Sequence, residues 1–288
     1  MTQTDATPTQ GPVLVVGGTG KTGRRVVALL RERGVETRAA SRSGDTPFDW
    51  ADRTTWKTAL DGAAAVYIVP LDISPSLTPA FVEQAVASGV QRIVLLSARG
   101  TGVPGYFGPD HDGDTPHAQG ERAVRASGAP WTILRPGWFA QNFTEGDFLE
   151  GIRGGRLALP TGDGRAAYVD ADDIAAVAAA ALTEDGHAGE VYELSGPRAL
   201  SVAEVLEEIG RAAGVRASYL PIDEPTFRAG LVARGVPESA AALWAEVLRP
   251  IATSREAPVL DGVRRALGRE PRDLADVVRE AAANGAWG

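Results

Sequence analysis

There is no cysteine anywhere in the 288 residues. That removes disulfide frameworks, zinc–thiolate sites and thiol nucleophiles together. Histidine is nearly as scarce: His111, His117 and His187 are the complete set. Three are too few for a multi-histidine metal centre, and no metal is expected. Lysine occurs only at positions 21 and 57, so a lysine-activated acid catalyst is essentially excluded. No apolar run approaches the ~20 residues of a membrane span. The alanine-rich stretch Ile174–Leu182 is too short and is flanked by acids. The opening residues Met1–Pro12 are polar and lack the basic-then-apolar order of a signal peptide. Lys+Arg number 29 against 37 Asp+Glu, a net charge of −8, which is the wrong sign for a chain whose main partner is a nucleic-acid backbone. These absences point to a cytoplasmic globular protein, monomer or homodimer, that handles a small-molecule substrate without nucleic acid or membrane.

What is present has a rhythm. After a polar tail over residues 1–11, expected to be disordered, the β-branched run Val13–Val16 reads as a buried strand. The glycine-rich segment Gly17–Gly23 follows, then a helical pattern over Arg24–Arg33 stopped by Gly34. Strands are predicted at Val35–Ser41, Ala63–Val69, Ile93–Ser97 and Trp131–Leu134, and helices at Thr78–Ser88, with Thr78 as N-cap, and Thr115–Ser127. Continuously apolar strands are buried on both faces, as in a parallel sheet. Strands alternating with helices at this spacing predict an α/β doubly wound parallel sheet. Beyond Arg135 the rhythm loosens, with short strands near Leu157–Leu159, Tyr168–Val169 and Val191–Leu194 and helices at Asp172–Leu182 and Ser201–Ala213. Pro225–Ala283 reads as mostly helical. The expected organisation is a nucleotide-binding core over residues 12–150 and a segment over 151–288 that completes it and forms a smaller, mostly helical substrate lobe.

The segment Arg99–Pro116 holds five glycines and three prolines and is longer than ordinary strand–helix connections. It leaves the carboxyl end of a strand, where ligands bind in such folds. A lid or substrate loop is one expectation, and a disordered surface excursion is the other.

Gly17-Gly18-Thr19-Gly20-Lys21-Thr22-Gly23 carries glycines at G-x-x-G-x-x-G spacing between a strand and a helix. The first glycine permits a sharp turn, the second lets a pyrophosphate approach the backbone, and the third allows close helix–strand packing. The helix N-terminus then offers free N–H groups and a positive dipole end to phosphates. An acid at the end of the second strand would hold the ribose 2′-hydroxyl of NAD. Ala40-Ser41-Arg42-Ser43 has none. Arg42 suits a 2′-phosphate through its planar fork, with Ser41 and Ser43 adding hydrogen bonds, so NADP(H) is the expected cofactor.

The stretch at 17–26 and Trp131-Thr-Ile-Leu-Arg-Pro-Gly-Trp-Phe-Ala-Gln-Asn142 resemble the NmrA-like branch of atypical short-chain dehydrogenases, in particular NADPH-dependent type-2 quinone oxidoreductases and the ergot-alkaloid (festuclavine dehydrogenase-like) group. Phe48-Asp49-Trp50, Leu95–Ala98, Val169–Ile174, Tyr192–Pro197 and Leu267–Arg269 extend the resemblance over nearly all of Val13–Val278. It implies a Rossmann-type core with NADP(H) lying over the sheet. On it, Phe48, Asp49 and Trp50 approach the adenine, Val69 and Pro70 pass under the cofactor, Ser97 and Ala98 lie near its nicotinamide, and Pro136 and Gly137, which with Arg135 follow the sixth strand, also bind it. Trp138, Phe139 and Asn142 face the substrate pocket. Packing is the ordinary fate of such tryptophans. Asp170, Asp172 and Asp173 read as a turn and helix N-cap in preference to a metal site.

Short-chain dehydrogenases generally use Tyr-x-x-x-Lys, and no tyrosine here has lysine four residues later. By the resemblance, His117 falls where this branch carries lysine or, in the quinone-reductase type, histidine, and Glu121 falls where it carries glutamate. His117, Glu121 and Arg125 share one helix face. A histidine titrates near neutral pH and suits proton donation, with Glu121 orienting the ring. Tyr106 and His111 are rival donors. The competing account is a Glu121–Arg125 pair on a solvated face. The expected activity is hydride transfer from NADPH to a quinone, iminium or other conjugated electrophile. A redox-sensing regulator acting through a protein partner and a non-redox isomerase or cyclase are the alternatives.

Overall fold

The four residues of the first strand divide between two cores: Val13 and Val15 pack into one apolar cluster, Leu14 and Val16 into another, and all four are buried. A strand whose side chains alternate between two covered faces has no polar side, which is why Val13–Val16 reads as one uninterrupted apolar run. The computed structural model describes residues 11–71 and 75–288. The expected tail, Gly11 apart, lies outside the described residues.

In chain order the elements are β1 (Val13–Val16), α1 (Gly23–Glu32), β2 (Thr37–Ser41), β3 (Thr46–Pro47), α2 (Thr54–Leu60), β4 (Ala65–Ile68), α3 (Thr78–Ala87), β5 (Arg92–Leu96), α4 (Pro116–Ala126) and β6 (Trp131–Pro136). A short 3-10 turn at Ala140–Asn142 leads to α5 (Leu149–Arg153), β7 (Arg156–Leu159), β8 (Arg165–Ala166), α6 (Ala171–Thr183), β9 (Glu190–Leu194), β10 (Leu200–Ser201) and α7 (Val202–Ala213). The chain ends with β11 (Ser218–Pro221), α8 (Glu224–Ala233), α9 (Glu238–Ala252), α10 (Gly262–Leu267) and α11 (Leu274–Ala283).

Seven strands form one parallel sheet in the order β3-β2-β1-β4-β5-β6-β9. Helices α1, α6 and α10 supply Val26, Leu30, Ile174, Val177 and Val263 to the core on one face. Helices α2, α3 and α4 supply Trp56, Leu60, Phe81 and Val124 to the other. A third core joins β7 to helices α5, α7, α8, α9 and α11. The doubly wound architecture expected from the alternation is the one observed. Its strand order reverses between β1 and β4, so a crevice opens over their carboxyl ends.

Some boundaries moved for local reasons. Thr78 is the first helical residue of α3, not its cap, and its amide donates to the Ser76 hydroxyl oxygen at 3.3 Å. Strand β6 runs on through Arg135 and Pro136 because β9 pairs alongside both. Tyr168–Val169 is not a ladder strand: Val169 makes one isolated bridge to Phe139, and the strand lies earlier, at β8. Helix α6 begins as expected, with the Asp170 carboxylate capping the Asp172 amide. The neighbouring carboxylates of Asp172 and Asp173 pair with Arg25, Arg269 and Arg272.

Candidate active site

Gly17 follows β1 directly and has φ +78°, a conformation that side chains resist; a Cβ there would stand 2.9 Å from the Val69 Cβ, just past the end of β4. The amides of Gly17 and Gly18 both donate to the Ala40 carbonyl, at 2.9 and 3.1 Å, and tie the turn to β2. Gly23 is tighter still: a Cβ would lie 2.1 Å from the Gly17 carbonyl oxygen. Gly20 differs. It is exposed, its φ is ordinary, and its nearest Cβ neighbour would be the Gly17 oxygen at 3.2 Å. The turn's own packing therefore needs glycine at 17, 18 and 23, a Cβ on Gly18 falling 2.8 Å from the Ala39 Cα, while Gly20 leaves space on the outer side. The amides of Lys21, Thr22 and Gly23 meet no acceptor among the described residues. Open amides at the positive end of a helix, beside a cradle free of Cβ atoms, fit a pyrophosphate.

Two side chains of this turn point elsewhere than expected. Thr22 is buried, and its hydroxyl accepts from the Tyr67 hydroxyl at 3.1 Å. Of its polar groups only the amide is left without a partner among the described residues. Lys21 Nζ donates to Asn142 Oδ1 at 2.8 Å and lies 4.0 Å from Asp147. Asn142 thus joins the glycine turn to the 142–147 segment and does not line the cavity beyond the ends of β5 and β6.

At the end of β2, the Thr19 hydroxyl donates to Ser41 Oγ at 3.1 Å, and the Ser43 amide donates to the same oxygen at 3.2 Å. Arg42 is exposed beside them. The next acid, Asp45, is turned back: its carboxylate accepts from the Ala39 amide at 2.7 Å and pairs with Arg31. The corner thus carries the exposed Arg42 cation with its nearest acid engaged elsewhere. Phe48, expected near an adenine, is only 4% exposed and packs on Trp56 and Phe81. Its place is the core. Asp49 caps the Ala51 amide and accepts from Trp56 Nε1 through its carbonyl. Trp50 is half-buried at the edge of the same aromatic cluster, so one part of the indole stays open.

Beyond the ends of β5 and β6 lies a cavity of about 450 Å³. Ala98, Pro136 and Trp138 line it from the strand ends, Phe107 and His111 from the 99–116 loop, His117 from the first turn of α4, and Trp244 from α9. Helix α4 starts where it does because the Thr115 hydroxyl caps the Ala118 amide at 3.0 Å. The 99–116 loop is not a solvated excursion. Arg249 donates to the Phe107 carbonyl at 3.0 Å, and Arg255 holds the Gly105 carbonyl. His111 Nδ1 accepts from the Gly113 amide at 2.9 Å, which puts its proton on Nε2 when neutral. His187 is buried elsewhere, its Nδ1 2.9 Å from the Tyr192 hydroxyl.

Three of the expected site residues act behind this wall. Tyr106 donates its hydroxyl to Glu256 Oε1 at 2.6 Å, and its ring lies where a Cβ on Gly100 would be, 2.1 Å away. Burial, with the Glu256 charge beside it, pushes the phenol far above its ordinary range. Tyr106 is a strut of the loop, and as a proton donor it is badly placed. Ser97, 3% exposed, turns its hydroxyl inward to Glu121 Oε1 at 2.6 Å. Both oxygens of Glu121 are taken by Arg135, at 2.8 and 2.7 Å, with Arg125 at 3.5 Å. Burial raises a carboxyl pKa, but here the hydrogen bonds from Arg135 and Ser97 and the nearby cations outweigh it and hold Glu121 below the usual range. The expected solvated pair with Arg125 is the minor part of a buried arrangement, and the imidazole-orienting role expected of Glu121 gives way to holding Arg135. Phe139 packs against the core beneath the sheet and is not a cavity wall.

Arg99, Glu256 and Trp244 carry the cavity but gave no local signal. Glu256 is 3% exposed, lies 3.8 Å from Arg99, and sits against Gly137, where a Cβ would be 2.9 Å from its Oε2. Burial pushes its carboxyl up, against the pull of Tyr106 and Arg99. Arg99 also donates to the Glu256 and Pro258 carbonyls, both at 3.1 Å. A pair 157 positions apart has no period or spacing to betray it.

The family described as NAD(P)H-binding matches residues 17–185. The oxidoreductase YesF of Bacillus subtilis is 34% identical over 95% of this chain and 96% of its own. The NAD(P)H azoreductase of Xenophilus azovorans is 33% identical over 94% of this chain and 98% of its own. An NADPH-dependent quinone oxidoreductase from Escherichia coli shares the fold, with TM-score 0.72 and 23% identity over 93% of this chain and 98% of that one. With the glycine turn inside the matched span, the chain belongs to the NAD(P)H-binding family of oxidoreductases.

Proposed function

We propose that the chain reduces a small conjugated electrophile, such as a quinone or an iminium, in the cavity beyond β5 and β6, with NADPH as the reductant. The observation that carries this is the cavity itself. It has aromatic walls, it adjoins the strand ends at Ala98 and Pro136, and a histidine stands on its wall. A pocket that is mostly apolar with a few convergent polar groups is the usual form of a small-molecule site. When bound, NADPH supplies a hydride. The amides of Lys21, Thr22 and Gly23 would hold its pyrophosphate, Arg42 and Ser41 its 2′-phosphate, and Trp50 would flank its adenine. Val69 and Pro70 would support it from β4, with Ala98, Pro136 and Gly137 toward its reactive end. The chain's own task is to exclude water with Phe107, Trp138 and Trp244 and to deliver a proton from His117. A quinone needs little acid help, because its reduced oxygen is stabilised by delocalisation.

His117→Ala is the test of the reaction. The expected result is a kcat lower by about 10²–10⁴-fold for a substrate that needs a general acid, and less for a quinone, with NADPH affinity unchanged. A variant that mainly weakens NADPH binding would make His117 a cofactor contact and move the donor to His111 or to water.

Arg42 tests the cofactor. NADPH is expected to bind more tightly than NADH, and Arg42→Asp to reverse the order by weakening NADPH roughly 10- to 100-fold, the worth of a charge-assisted hydrogen bond. Calorimetric titration with both nucleotides measures it. Equal affinities in the wild type would remove the 2′-phosphate assignment.

A further inference from the structure

A second cavity, of about 470 Å³, lies against the first. Its floor is apolar: Phe148, Leu157, Leu159 and Phe227 are all buried, and Leu231 is half-buried. Its charged residues, Asp147, Glu150, Arg156 and Arg234, are all exposed and belong to the rim. The floor offers no acid, base or nucleophile, so this cavity suits binding and not chemistry.

The wall between the two cavities is thin. Trp244 lines both. Trp138 lines the first, Phe148 lines the second, and the two rings stack on each other with centroids 5.8 Å apart and planes 13° from parallel. One pair of stacked rings and one half-buried indole thus stand between them. Structural packing alone would not require an indole shared between two hollows, and a void lined by leucine and phenylalanine forfeits dispersion contacts that a filled core would keep.

We infer that the two cavities are one elongated substrate site, in which a conjugated head occupies the first and a hydrocarbon tail passes over the edge of Trp244 into the second. The placement of the head rests on the reductase reading above, whereas the tail's place rests on the apolar floor and on its continuity with the first cavity across Trp244. The ligand class is an amphiphile: a quinone or similar electrophile bearing an unbranched or prenyl chain. The alternatives, a short polar substrate or a chain without a head, make different demands on the two volumes.

The test is equilibrium binding, read by quenching of tryptophan fluorescence, of a tail-less benzoquinone, its decyl derivative and decane-1-ol. Burial of a methylene is worth ~0.8 kcal/mol, so even a partly seated decyl chain is expected to raise affinity about tenfold or more over the tail-less quinone. Leu231→Trp fills the second cavity and is expected to erase that gain while leaving the tail-less quinone's affinity unchanged. Ala158→Phe, at another lining position on β7, gives the same readout if the first variant does not fold. Equal affinity of the two quinones in the wild type, or a gain that survives both filled variants, overturns the inference. So does decanol binding as tightly as the decyl quinone, which would make the site a chain pocket with no place for a head. Turnover is a separate axis: tail-dependent binding without NADPH oxidation would overturn the reductase reading and leave the two-cavity site standing.

Discussion

Gly20→Val is expected to leave the protein folded and to abolish NADPH binding. The folded state has room for the change, because Gly20 is exposed, its φ is ordinary and only the Gly17 oxygen comes within 4 Å of its Cβ position. The ligand does not have that room, since a branched side chain would stand on the side from which a pyrophosphate must reach the amides of the turn. Circular dichroism and a melting temperature within a few degrees of wild type would show the fold, and tryptophan quenching on addition of NADPH would show no binding. Gly23→Ala is the matching control with the opposite character. Its methyl would meet the Gly17 carbonyl oxygen at 2.1 Å, and neither partner is a flexible side chain. That variant is expected to lose stability first and binding only as a consequence. If Gly20→Val binds NADPH normally, the phosphates do not lie over this turn.

Glu121→Ala is expected to destabilise the protein by about 3–5 kcal/mol, the cost of stranding one member of a buried ion pair. Arg135 is 20% exposed and, among the described residues, would keep only Glu193 as an acidic partner, at 3.5 Å and itself 45% exposed. Denaturant unfolding of the variant measures the loss. The double variant Glu121→Leu with Arg135→Met should recover much of it, because removing both charges leaves nothing unpaired. The pH dependence follows from the direction of the shift. Arg135 and Ser97 hold the Glu121 carboxyl below its unfolded value. The stability it contributes is therefore full above the unfolded carboxylate pKa and is lost as pH falls through the lower folded one. The wild type should lose this contribution on acidification, and Glu121→Ala should lack it at every pH. A variant as stable as wild type would show that the pair is dispensable.

The sheet was legible because its determinants are local. Val13–Val16, Ala65–Ile68 and Ile93–Leu96 are apolar on both faces, and each is followed by a turn signal and a helical period. The glycine turn was legible for the same reason: seven consecutive residues carry its geometry. Residues whose partners lie far along the chain were not. Tyr106 read as a candidate for chemistry from its type and Glu121 from the resemblance and its helix face, yet Glu256 occupies one and Arg135 the other. Asn142 and Phe139 sit in a motif with Trp138, and the turn at Ala140–Asn142 sends the three side chains to different places: the cavity, the sheet core and Lys21. Periodicity cannot report such a divergence, because no regular element spans these residues. The two-residue strand β3 escaped notice because a pair of residues has no period to detect.

The pairing of β9 with β6 has a consequence for the protein's synthesis. Thr132, Ile133 and Leu134 are buried, and their edge is closed by Glu190, Val191 and Tyr192, which lie 58 positions further along the chain. While the ribosome is still making residues 137–189, the growing sheet ends in an apolar strand with unpaired backbone groups, a template for another chain. Such long-range parallel pairings form slowly, so the nascent protein passes through a sticky stage that the finished one does not have. A fragment stopping before Glu190 would keep that edge for good, and self-association through β6 is the fate its chemistry favours.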